Sequence, residues 1–225
     1  MPWPMVHFSI AEKCFDHDPS PEFLLGSIAP DAIHMRANTT RQDKGRTHLC
    51  EDDGTMPNLQ TFSDFCKRHI THDDHDTNQF ILGYVSHLYA DLRWTETVWN
   101  DYVDKIKPVI DGLNESIKSR YNIEVCQIDY NLYRNEACSK KIFDSLLKAR
   151  EYSVPNLLTS EEITQYRVHI IQNLRNEGNE PGIIPIYITD AMVTLFINDT
   201  VNELQSLIKA WTNGYEIKAR GVGNS

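Results

Sequence analysis

The chain has 225 residues, 40% of them hydrophobic and 24% charged, enough for a single core and typical of a soluble globular protein. Its formal net charge of -10 argues against holding a nucleic-acid backbone or an anionic lipid surface by bulk attraction, but leaves open a phosphate ester held locally by metal ions. No apolar run reaches the ~18 residues of a membrane span, MPWPMVHFSIAEK lacks the features of a secretory leader, and Cys14, Cys50, Cys66, Cys126 and Cys138 form no C-x-x-C pair, so a reducing, cytoplasmic location is expected and the cysteines read as small core hydrophobes.

Helical periodicity dominates, and an all-α, single multi-helix domain over residues 1–225 is expected. MVHFSIAEKCF reads as the first helix, with His7, Ala11 and Cys14 along one side. SPEFLLGSIAPD reads as a short helix stopped by Pro30, after which Asp31 opens DAIH. Residues 36–61 are polar and rich in Asp, Thr and Gly, and read as a long loop carrying His48 in RTHL. Asp76 is the expected N-cap of a long helix. On it Phe80, Tyr84, His87, Asp91, Trp94 and Val98 share one face, while Ile81, Val85, Leu88, Leu92 and Trp99 share another. A helix apolar on two faces is a central, buried one, and its aromatic stripe reads as core rather than as a base-stacking platform.

Pro108 is expected to kink or break the continuation. SKKIFDSLLKAR, with Ile142, Phe143, Leu146 and Leu147, reads as helix. Thr159 with Glu162 makes a capping box before ITQYRVHIIQNL. NEPGIIPIY reads as an extended connection. The final helix is striped by Val193, Phe196, Ile197, Leu204, Leu207, Ile208 and Trp211 and ends at Asn213-Gly214.

The unusual feature is GYVSHLYAD, which puts His87 and Asp91 one turn apart on a helix expected to be buried. A buried charge costs several kcal/mol unless it is paired or bound to metal. The pair could be a simple hydrogen bond, or it could reach one ion. His7, Asp31 and His48 each have an ordinary reading too, as a hydrogen-bonded core histidine, an N-cap after Pro30 and a surface residue.

Taken in order, His7, then LLGSIAPD, THL and LGYVSHLYAD resemble the zinc-dependent bacterial phospholipase C family, whose superfamily includes zinc-dependent single-strand nucleases. The resemblance covers roughly residues 5–95; the C-terminal half is alike only in being helical. It implies an all-α fold with up to three Zn2+ ions that cleave phosphate esters, the metal site lying within residues 1–99. By it, His87 and Asp91 match an H-x-x-x-D metal motif and His48 joins them on the same ion. Asp31 would be a metal ligand and the catalytic general base. His7 would hold a neighbouring ion bridged by Asp91, and a free amino terminus, here Pro2 after loss of Met1, would approach the metals.

The chain departs from the family after Asp91. LRWTETVWND follows, and the one later histidine is His169, so the family's further histidine and its H-x-x-x-E pair are absent. His34 and Glu96 are the substitutes at hand, and one to three ions are expected. The chemistry would be metal-assisted hydrolysis of a small phosphate ester or a phospholipid head group, since a bound zinc brings the pKa of water from 15.7 towards ~7.

A non-catalytic structural-metal or interaction protein on the same scaffold is the competing class. A second enzymatic reading is an HD-type phosphohydrolase built on His48, His72, Asp73 and Asp91. It needs RHITHDDHD on a buried helix face, whereas that stretch reads as a solvated loop or helix cap. His17 and His169 read as surface or packed helix residues.

Overall fold

The computed structural model describes residues 3–71, 73–110, 116–135 and 139–212. The amino-terminal amine, His72, Cys138 and the Asn213-Gly214 stop lie outside the described residues. The protein is all-α: no strand occurs among the described residues, only an isolated bridge between Val154 and Leu158. None of its described helices is long and apolar enough to cross a membrane.

Helix α1 spans Pro4–Cys14. Proline suits a first turn, where its missing N–H has no partner to lose. The Met5 N–H is taken by Asp129 Oδ1 at 2.7 Å, far along the chain. Helix α2, Pro21–Gly26, is capped by Ser20, whose Oγ accepts from the Phe23 N–H at 3.1 Å. Pro30 does not stop this helix. It sits in the first turn of a separate 3-10 helix, Ala29–Met35, again a position that tolerates an imino acid.

The expected loop over residues 36–61 holds a helix, α3, Arg41–Thr47. Its signal is a capping box: Thr40 Oγ1 accepts from the Asp43 N–H at 3.1 Å, and Asp43 Oδ2 accepts from the Thr40 N–H at 3.0 Å. Helix α4, Leu59–His69, also begins within that range.

Helix α5 spans His75–Trp94 and is buried throughout residues 78–91. Its N-cap is Asp74, not Asp76: Asp74 Oδ1 accepts from the Thr77 N–H at 3.0 Å. A π-turn over Thr95–Trp99 leads into α6, Asn100–Ile110, which runs through Pro108 rather than breaking at it.

Helix α7, Ile117–Asn135, has no counterpart among the sequence expectations. Its inner side mixes Tyr121, Val125 and Ile128 with buried Glu124, Gln127 and Asp129, so no clean apolar stripe marks it. The polar residues have a purpose. Glu124 Oε2 accepts from the N–H groups of Tyr187 (2.9 Å) and Ile188 (2.8 Å), and Gln127 Oε1 from that of Ile183 (3.1 Å). They satisfy the backbone of the extended NEPGIIPIY connection, which has no sheet to do so.

Helices α8 (Ser139–Leu146), α9 (Ser160–Arg175) and α10 (Asp190–Trp211) complete the fold. The Thr159–Glu162 capping box is present, and Glu162 also receives Arg36 at 2.6 Å, tying α9 to the segment after the 3-10 helix. Leu147 lies past α8 and is exposed.

Two glycines set how closely α2 and α5 approach. A Cβ on Gly26 would overlap the Phe80 carbonyl oxygen, and one on Gly83 the Phe23 carbonyl oxygen. Only hydrogen at both positions lets the two backbones touch. That contact fixes the height of the α2 C-terminus beside His87.

Candidate metal centre

Residues far apart in the chain meet in one buried cluster. Helix α1 supplies His7, the 3-10 helix Asp31, the C-cap of α3 His48, and α5 both His87 and Asp91. His7, His48, His87 and Asp91 are buried, and Asp31 is 16% exposed.

Asp91 is the hub. Its Oδ2 lies 3.4 Å from His48 Nε2 and 3.5 Å from His87 Nε2, while its Oδ1 lies 3.7 Å from His7 Nε2. Asp31 faces the same histidines from the other side, with Oδ1 3.4 Å from His48 Nε2 and Oδ2 3.9 Å from His87 Nε2. These separations exceed ordinary side-chain hydrogen bonds. Donors ~2.1 Å from one ion at a tetrahedral angle stand roughly 3.4 Å apart, the short end of the 3.4 to 3.9 Å found here. Two groups among the described residues could each hold a metal ion, His7 with His87 and Asp91, and Asp31 with His48 and His87.

The hydrogen bonding points the same way. Among the described residues, Nε2 of His7, His48 and His87 and both carboxylate oxygens of Asp91 are buried without a hydrogen-bond partner. Orphaned buried polar atoms are rare and costly, and here they converge on one small volume. On His48 and His87 the other ring nitrogen is engaged. His87 Nδ1 is 2.9 Å from the Ser27 carbonyl oxygen, and His48 Nδ1 is 2.9 Å from that of Lys44. A carbonyl oxygen can only accept, so both Nδ1 atoms carry the proton and both Nε2 atoms present a lone pair inward. This is how backbone groups orient metal-ligating imidazoles. The α2–α5 contact through Gly26 and Gly83 is what brings Ser27 to His87.

Electrostatics hold both carboxylates ionised and His7 neutral. Burial, and then the neighbouring His87, lower the pKa of His7 to about 3 against the opposing pull of Asp91. Burial works against ionised Asp91, but His87, His48 and His7 outweigh it and hold its pKa below the usual value. Burial likewise opposes ionised Asp31, and the Lys44 ammonium, His34 and His48 hold it well below the usual carboxylate range. For His87, burial is outweighed by Asp91 and Asp31, so its pKa is raised.

Asp31 is also the point where the cluster meets the outside. It lines a cavity of about 1120 Å³ together with Trp3, His34, Lys44, Trp99 and Asp129. Neither substitute for the absent H-x-x-x-E pair enters the cluster. His34 stays on the exposed side of Asp31, Nε2 to Oδ1 3.6 Å, with Lys44 Nζ at 3.2 Å. Glu96 is exposed and pairs with Arg93 at 2.7 Å. Asp73, needed by the HD-type reading, is exposed and belongs to neither ligand group. Asp74 and Asp76 of the same stretch pair with Arg150 at 3.0 and 3.7 Å.

The sequence reading missed Lys44, the Ser27 carbonyl and Asp129. The Thr40–Asp43 capping box was the available signal for Lys44: a helix starting there puts Lys44 one turn before His48. No family model matches the chain, and no curated protein or solved structure matches it.

Proposed function

We propose that this protein is a metal-dependent hydrolase of phosphate esters, that zinc is the metal, and that its N-terminal half resembles the zinc-dependent phospholipase C family. The convergence of three buried, unpartnered imidazole Nε2 atoms on the unpartnered Asp91 carboxylate, beside a cavity that reaches Asp31, is the observation that supports this reading. Nitrogen and carboxylate donors at this spacing suit zinc. His7, His48, His87, Asp91 and Asp31 would hold the ions. A bound divalent ion supplies Lewis-acid chemistry, acidifying water towards ~7 and neutralising charge on a phosphoryl oxygen.

The chain's own residues supply the rest. Asp31 is ionised and borders the cavity, which is where a group that orients or deprotonates the attacking water has to stand. Ser27 and Lys44 hold the rings of His87 and His48 by their carbonyls. The deep burial of the other four ligands also suits a structural-metal protein, and the access at Asp31 favours the enzyme.

The test is elemental analysis of the purified protein followed by turnover of p-nitrophenyl phosphate and bis(p-nitrophenyl) phosphate. The expected result is bound zinc, with hydrolysis lost in Asp31→Asn and Asp91→Asn. A folded, zinc-loaded protein that leaves both esters intact defeats the enzymatic reading, and a protein that takes up no divalent metal defeats both readings.

A further inference from the structure

Lys44 is an odd neighbour for a metal centre. Its Nζ lies 3.0 Å from Asp31 Oδ1 and 3.2 Å from His34 Nε2, and its side chain is one-third exposed. A divalent cation at the cluster repels an ammonium this close, since like charges a few ångströms apart cost on the order of kcal/mol even at an effective dielectric of ~20. If the carboxylate of Asp31 served metal alone, an apolar or neutral residue at position 44 would hold it at lower cost. A fixed cation beside a metal centre becomes favourable when a further anion shares the space.

The surroundings admit such an anion. Lys44 lines the cavity over Asp31, and Arg41 and Lys118 are the other cations of its wall. Thr39, Thr40, Asn122 and Asn173 add hydrogen-bonding groups there. Lys44 is also placed firmly. It lies within α3, which is fastened at one end by the Thr40–Asp43 box and at the other by Tyr84, whose hydroxyl donates to the Thr47 carbonyl at 2.5 Å.

We propose that Lys44 is a phosphate-anchoring residue, whose ammonium bridges Asp31 and a non-bridging oxygen of a phosphoryl group seated in the cavity over Asp31. The ligand class is a phosphate monoester dianion or inorganic phosphate, with Arg41 and Lys118 balancing the second negative charge. The inference rests on the hydrolase reading for its substrate, but its anion-binding content can be measured apart from turnover. The Lys44 carbonyl, which orients His48, is backbone and survives any substitution of the side chain.

The experiment compares zinc-loaded wild type, Lys44→Met and Lys44→Arg. Zinc content is measured first, then inorganic phosphate binding by titration calorimetry, then KM and kcat on p-nitrophenyl phosphate. The expected result is unchanged zinc content, phosphate affinity at least ~10-fold weaker in Lys44→Met, and a loss of only ~3-fold in Lys44→Arg, as for removal or retention of one charge-assisted hydrogen bond. KM should rise more than kcat falls. Wild-type phosphate affinity in a zinc-loaded Lys44→Met overturns the proposal, as does a zinc-loaded wild type that binds no phosphate. Loss of zinc from Lys44→Met also overturns it, because Lys44 would then be a support of the centre. Lys44-dependent phosphate binding without any turnover sustains the anchoring role and removes the hydrolase reading instead.

Discussion

His7 and His87 stack face to face, with ring centroids 4.0 Å apart and planes within 14°, and their Nε2 atoms face different oxygens of Asp91. Two imidazolium rings could not stack this closely in a buried site without strong repulsion. Burial first, then His87 alongside, lower the pKa of His7 to about 3 and keep that ring neutral. A neutral imidazole is the form that binds metal, so the stack leaves His7 as a ready donor at physiological pH.

Metal should therefore stabilise the fold, because a ligand that binds only the native state adds RT ln(1 + [L]/Kd). Chelation is expected to lower the thermal midpoint by several degrees, and zinc should restore it. In Asp91→Asn the hub loses its charge and one acceptor oxygen. Zinc affinity should fall by at least ~100-fold, beyond the range seen for losing an outer-shell partner. Elemental analysis and melting curves with and without chelator check this. An Asp91→Asn protein with full zinc content contradicts the arrangement.

Gly83→Ala places a methyl group against the Phe23 carbonyl oxygen. Alanine is the better helix former by ~1 kcal/mol, yet forcing α2 away from α5 should cost more, giving a net loss of at least ~2 kcal/mol. Because the same contact holds Ser27 against His87, zinc affinity should fall as well. Urea unfolding and zinc titration read the two effects, and a variant as stable as wild type contradicts the close approach.

Tyr84→Phe removes the donor to the Thr47 carbonyl, a buried contact at 2.5 Å. An orphaned buried carbonyl costs ~1–3 kcal/mol, and α3, which ends at His48, loses a fastening. Zinc affinity is expected to drop about tenfold, the lower end of an outer-shell change. The check is calorimetric zinc titration beside denaturant unfolding. Equal affinity would show that His48 is held without α3.

Asp129 is buried, and burial pushes its pKa up to about 8 from 3.8 against the opposing Met5 N–H. With the native pKa raised, the folded state binds more protons than the unfolded one between those two values. The contribution of Asp129 to stability therefore falls as pH rises, by up to ~1.4 kcal/mol per pH unit. Asparagine keeps an acceptor for Met5 and does not titrate. Relative to wild type, Asp129→Asn should gain stability steadily from pH 5 to about 8. Urea midpoints at three pH values read this, and parallel curves for the two proteins contradict it.

Much of this molecule could be read from residue order. The two apolar faces of α5, the Thr159–Glu162 cap and the stripe of α10 are local patterns, and each formed where local chemistry placed it. The errors have physical causes. Pro30 is tolerated because a first turn needs no N–H, and Pro108 does not break α6, which runs on to Ile110. Helix α7 was hidden because its inner face carries Glu124, Gln127 and Asp129 for partners distant in sequence. Helix α3 was hidden by its polar composition, although its capping box was in view.

Residue order alone specifies an all-helical chain with a histidine and a carboxylate one turn apart on its most buried helix, because helical periodicity and i,i+4 spacing are local properties. The gathering of His7, Asp31 and His48 around that pair, and the place of Lys44 beside Asp31, arise in the folded chain. Those contacts depend on how closely α2 meets α5 and on where α1 and α3 come to rest, and packing between distant segments sets all three.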